Sequence, residues 1–161
     1  MKKRTVCFTG HRKIPSEQYE DIAERLKKEI IKSIEEGYCF FCAGGALGFD
    51  TLAAQTVLQL KNQYPQICLY LILPYHKQTR GWKEEDVREY ERIKSLADKV
   101  FTVSDEYYRG CMQKRNRDLV DNSSLCICFK TEDTGGTAYT IQYASKKGLK
   151  IINIGEHSIR N

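Results

Sequence analysis

The sequence predicts an α/β fold, a doubly wound and mainly parallel Rossmann-like sheet of about six strands with helices on both faces. Three observations predict it. Short apolar runs alternate with amphipathic stretches along the chain. Its longest apolar run, 67–73, is apolar throughout rather than alternating, as in a strand buried on both faces. Glycine clusters follow the strands more than they precede them, which suits strand-to-helix turns on one edge of a parallel sheet.

The elements follow in order. Residues 5–9 form a short apolar strand. Ser16 is placed to cap a helix that carries Tyr19, Ile22, Ala23, Leu26, Ile30 and Ile34 on one stripe and stops at Gly37. A second strand over 38–43 leads to a helix over 51–61, broken at Tyr64-Pro65. The third strand is 67–73, and 83–97 is an amphipathic helix with Val87, Tyr90, Ile93, Leu96 and Ala97 inward. Then come a strand at 99–103, a polar helix at 112–121, a strand at 125–129, a helix at 137–147 ended by Gly148, and a strand at 150–154. No repeat, low-complexity tract or linker divides them, so 1–161 reads as one domain.

The composition, 41% hydrophobic and 29% charged, is that of an ordinary globular protein. The run 67–73 is far too short to span a bilayer, and basic residues 2–4 precede only three apolar ones. The expectation is a cytoplasmic protein with no membrane partner. A net charge of +5 spread along the chain reads as solvated surface, so nucleic acid is not expected as the partner. The seven cysteines include Cys39-Phe-Phe-Cys42 and Cys126-Ile-Cys128, both inside strand-like runs where a free thiol acts as a small hydrophobe. His11, His76 and His157 lie far from these pairs, so no metal site is expected.

The first strand ends in Thr9-Gly10-His11-Arg12 and the second in Ala43-Gly44-Gly45-Ala46-Leu47-Gly48, with Asp50 placed to cap the next helix. The fifth leads through Thr131-Glu132-Asp133-Thr134 to Gly135-Gly136-Thr137, which opens the last helix. Three glycine-bearing turns on one edge suit anion binding, because backbone N–H groups can approach a phosphate closely and a helix N-terminus adds unpaired donors. The stretch 44–48 matches neither G-x-G-x-x-G nor a P-loop. Arg115 and Arg117 are two apart on a helix, so at most one of them faces this edge. Tyr75 and Trp82, after the third strand, are candidates to flank a base.

Together, Phe8-Thr-Gly-His-Arg12, Gly44-Gly-Ala-Leu-Gly-Phe-Asp50, Pro74 with Gln78 and Trp82, Arg115-Asn-Arg-Asp-Leu-Val-Asp121, and Gly135-Gly-Thr137 with Ala144 and Gly148 resemble the SLOG superfamily. That superfamily joins DNA-processing protein A and the Lonely Guy phosphoribohydrolases, and the resemblance is nearest to its YpsA-like branch. It implies a Rossmann-like domain that binds a nucleotide-derived ligand such as ADP-ribose or NAD, with no required cofactor. It also implies a protein partner or a second copy of the chain. It places Arg115 at the ligand phosphates and makes Gly10, His11, Gly44, Gly45, Asp50, Asn116, Gly136 and Thr137 site candidates. Thr9, Arg12, Gly48 and Gly135 complete the expected set. The phosphoribohydrolases carry glutamates after their Gly-x-Gly-Thr turn. Here Ala138, Tyr139, Thr140 and Ile141 follow, and no carboxylate occurs between Asp133 and Glu156. Glycosidic hydrolysis needs a carboxylate beside the anomeric carbon, so the expectation is a binding or sensor domain. An N-glycosidic hydrolase using Asp50 or Glu132, and a single-strand nucleic-acid binder, are the alternatives.

Overall fold

The computed structural model describes residues 1–155; Glu156 and His157, cited above, lie outside them. Six strands, β1 (Thr5–Gly10), β2 (Phe40–Ala43), β3 (Cys68–Tyr75), β4 (Lys99–Ser104), β5 (Leu125–Phe129) and β6 (Lys150–Asn153), form one sheet. Its order is β4-β3-β2-β1-β5-β6, and every neighbouring pair is parallel. The helices are α1 (Tyr19–Glu35), α2 (Phe49–Leu60), α3 (Glu84–Leu96), α4 (Cys111–Asp121) and α5 (Gly136–Lys146).

Side-chain alternation sorts the two faces. Val6, Phe8, Phe41, Leu69, Leu71, Leu73, Ile127 and Phe129 meet the buried stripe of α1 (Ile22, Leu26, Ile30, Ile34) with α2 and α3. Cys7, Cys42, Tyr70, Ile72, Cys126 and Cys128 meet Leu119, Val120 and Ala144 of α4 and α5. The small thiols let α4 and α5 settle close to the sheet. All seven cysteines are free, and burial pushes the Cys42 thiol up to about 12, which disfavours its thiolate.

Several boundaries moved for local reasons. Ser16 does not cap α1: Ser16–Gln18 closes a 3-10 turn through Gln18 N–H to Pro15 O (2.9 Å), and α1 starts at Tyr19. At its far end Gly37 (φ +104) and Tyr38 donate back to Ile34 and Ser33, both at 3.0 Å, as a Schellman stop. That engagement delays β2 to Phe40. β3 runs on to Tyr75 because β4 pairs with it as far as Ser104, and Pro74 is tolerated because β2 already ends opposite Leu71. Among the described residues no helix is long and apolar enough to cross a membrane.

From β1 the chain winds outward through β2, β3 and β4, then returns to the other side of β1 for β5 and β6. The strand order therefore switches between β1 and β5, and the loops leaving their carboxyl ends part there.

Candidate functional site

A cavity of about 740 Å³ opens at this switch point. Its walls come from the end of β1 and its loop (Phe8, Thr9, Gly10, His11, Arg12), from Ala46 and Asp50, and from the first turns of α4 (Met112, Gln113, Arg115, Asn116) and α5. Glu132, Thr134, Gly135, Gly136, Thr137 and Tyr139 complete it. Neither α4 nor α5 has a side-chain cap. In α5 the first intrahelical bond is Tyr139 N–H to Gly135 O (3.0 Å), leaving the amides of 136–138 ahead of it. In α4 the corresponding bond is Lys114 N–H to Gly110 O, 2.9 Å. Two helix N-termini, each a partial positive charge, thus border one cavity.

The structure brings ten of the expected residues to this wall: Thr9, Gly10, His11, Arg12, Asp50, Arg115, Asn116, Gly135, Gly136 and Thr137. It does not bring Gly44, Gly45 or Gly48 there. A Cβ on Gly44 would lie 2.7 Å from Arg115 Nη1 and 3.0 Å from Asp50 Oδ2; one on Gly45 would lie 2.5 Å from Leu73; one on Gly48 would lie 2.2 Å from the Arg12 carbonyl oxygen. These glycines permit close packing. Asp50 is not the cap of α2 either, since Gly48 stands at that position. It lies in the first turn and reaches back, accepting from Ala46 N–H (3.3 Å) and from the Gly44 amide. The loop after β2 has the form of an anion cradle, and the protein's own carboxylate fills it.

Arg115 is 5% exposed, and Asp50 is 7% exposed. Arg115 Nη1 donates to Gly44 O, and its Nε donates to Asn116 Oδ1 at 2.8 Å. Burial raises the Asp50 carboxyl above its ordinary value, against the pull of Arg115 and the loop amides. Burial likewise lowers Arg115, against the pull of Asp50. Arg12 adds a second cation, favouring ionised Asp50 and opposing Arg115. Two guanidiniums and two helix N-termini thus stand beside the cavity, with Asp50 and Glu132 as the carboxylates on its wall. Arg117 does not line the cavity and donates to the Tyr139 hydroxyl (3.4 Å).

His11 ties the two parting loops together: its Nε2 accepts from Thr131 N–H (2.9 Å), and its ring lies edge-on to Phe129 at 5.3 Å. Its carbonyl also accepts from Phe49 N–H (3.1 Å). Trp82 and Tyr75 are not at the cavity. Trp82 packs on Tyr90 (5.5 Å), itself bonded to buried Gln78, and Tyr75 packs on Tyr107 (5.4 Å). Besides Phe8 and His11, Tyr139, one of the residues following the Gly-Gly-Thr turn, reaches the wall. Met112 and Gln113 were also missed; their position in the first turn of α4, ahead of Arg115, was the available signal.

A family model described as the YspA SLOG family matches residues 7–154. A UPF0398 protein of Brevibacillus brevis is 33% identical over 129 residues, covering 78% of this chain and 69% of the relative. Another, from Bacillus thuringiensis, is 30% identical over 132 residues, covering 80% and 72%. Among solved structures, DNA processing protein A from Streptococcus pneumoniae superposes with a TM-score of 0.70 at 15% identity, over 99% of this chain and 53% of that one. The Helicobacter pylori protein, described by its single-stranded DNA binding mode, gives 0.63 at 18% identity, over 91% and 63%. The chain thus spans little more than half the length of these structural neighbours, and at such identities the likeness concerns the fold. The match over residues 7–154 takes in most of the chain, and the chain belongs to the YspA SLOG family.

Proposed function

We propose that this chain is a binding domain for a nucleotide-derived ligand of the ADP-ribose, NAD or nucleoside phosphate type. The observation that carries the reading is the cavity of about 740 Å³ at the strand-order switch, bordered by two uncapped helix N-termini and two arginines. Its size lies within the range of about 300–1,000 Å³ usual for small-molecule sites. In this reading the amides of 136–138 and the Arg115 guanidinium hold the phosphates, while Tyr139 lies against a base. Asp50 is committed to the β2 loop and Arg115, which favours binding without hydrolysis. At 100-fold over Kd such a ligand raises stability by about 2.7 kcal/mol. For a chain of this size that is about 5–10 °C in Tm. A thermal-shift panel of ADP-ribose, NAD and nucleoside mono- and diphosphates checks this, with free base absent after incubation. No shift across the panel refutes the reading.

One observation favours a second reading, single-stranded nucleic acid. Tyr107 (61% exposed), Tyr108 (45% exposed) and the adjoining Arg109 stand between β4 and α4, beside the α4 turn that borders the cavity. Exposed aromatics next to cations suit base stacking. Fluorescence anisotropy with a labelled oligonucleotide would then show binding that weakens steeply with salt. Its absence at low salt removes this reading.

A further inference from the structure

The β4 edge of the sheet lies open, with nothing paired to its outer side among the described residues. Open strand edges are usually blunted by proline, bulges or several charges, because their free N–H and C=O groups template pairing with another chain. Lys-Val-Phe-Thr-Val-Ser has one lysine and otherwise β-branched, aromatic and hydroxyl residues. Phe101 is 50% exposed and Val100 36%, and Leu96, at the end of neighbouring α3, is 50% exposed. Apolar side chains therefore stand uncovered on both faces of this edge.

The backbone restricts how a partner strand can pair. Asp98 N–H donates to Leu69 O (2.8 Å), so even-numbered residues turn their backbone groups toward β3. Lys99, Phe101 and Val103 turn theirs outward, and Asp105 follows in the bend just past the end of the strand. In an antiparallel ladder the outward residues form the hydrogen-bonded pairs. Centring a two-fold axis on Thr102 sets Phe101 opposite Val103 and brings Lys99 of one copy to the end of the partner strand, where Asp105 follows. Centring it on Phe101 or Val103 pairs Lys99 with Val103 or with Tyr107, and no opposite charges meet. The Asp105 side chain is 93% exposed, with an oxygen 3.1 Å from His76 Nε2, and Lys99 lies over the Tyr70 ring at 5.7 Å.

We propose that β4 is a self-association edge, pairing antiparallel with β4 of a second copy about Thr102 to form a continuous sheet across a two-fold dimer. Lys99–Asp105 pairs at both ends set the register, and the apolar side chains are covered on both faces. The inference does not depend on the ligand reading.

Sedimentation over a dilution series of the full chain tests it. Lys99→Asp and Asp105→Lys each weaken dimerisation about tenfold, since each pair occurs twice. The double variant restores it. In the non-hydrogen-bonded pair on the axis the two Thr102 Cα atoms lie about 4.5 Å apart, within disulfide reach. Thr102→Cys therefore cross-links to a dimer under a mild oxidant, and Val100→Cys, which faces Ser104 instead, does not. A chain that stays monomeric at every concentration, a double variant no better than the singles, or equal cross-linking at both positions overturns the proposal.

Discussion

Replacing Arg115 with methionine will destabilise the protein by about 3–5 kcal/mol, the cost of leaving a buried charge without its partner. At this chain length that is about 6–20 °C in Tm. Methionine keeps most of the buried volume, so the loss is mainly electrostatic. Asp50, 7% exposed, keeps its loop amides but loses the guanidinium that most opposes its burial. The pH dependence identifies the cause. Burial already raises the folded-state carboxyl above its ordinary value of 3.8, and removing Arg115 raises it further. Above the ordinary value the native state then binds more protons than the unfolded chain, so stability falls as pH rises through the window. The variant's deficit should accordingly shrink as pH is lowered toward 3.8 from neutrality, read by denaturant unfolding. Asp50→Asn combined with Arg115→Met should regain part of the loss, because both charges leave together. A deficit independent of pH would mean that Arg115 contributes packing alone.

Most of the fold was legible because its cause is local. Short continuous apolar runs mark the strands and period-3.6 stripes the helices, and Gly37 marks the end of α1 through a φ of +104. What shifted were ends decided by neighbours: β2 starts late because Tyr38 bonds back to Ser33, and β3 runs long because β4 pairs with it out to Tyr75. The candidate site was legible at the loops after β1 and β5, where residue type and strand end coincide. The loop after β2 reaches the wall through Ala46, with Asp50 just beyond it, but not through its glycines, for a physical reason. Glycine serves close packing and anion cradling through the same lack of a Cβ, and only the position of the Asp50 carboxylate distinguishes them here. Trp82 misled similarly, since its partner Tyr90 is an aromatic from a separate helix that no spacing links to it.

Two glycines, each expected at the ligand, should respond to substitution in opposite ways. Gly48→Ala will cost about 2–6 kcal/mol, adding strain at a left-handed position to a clash that has no flexible side chain to absorb it. Its φ is +79, and the added Cβ would stand 2.2 Å from the Arg12 carbonyl oxygen and 2.4 Å from its carbon. That backbone is itself held, since the neighbouring His11 carbonyl accepts from Phe49 N–H at 3.1 Å. Gly136→Ala meets nothing within 4 Å and lies in the first turn of α5. It should leave stability unchanged or raise it by up to about 1 kcal/mol, through helix propensity. Its methyl group stands instead where a phosphate would approach the amides, so the affinity for whichever nucleotide stabilises the native chain should fall. Thermal unfolding and ligand titration of both variants separate the two roles. If Gly136→Ala binds as tightly as the native chain, the α5 amides do not hold the ligand. If Gly48→Ala is as stable as the native chain, the β2 loop has slack that these contacts deny.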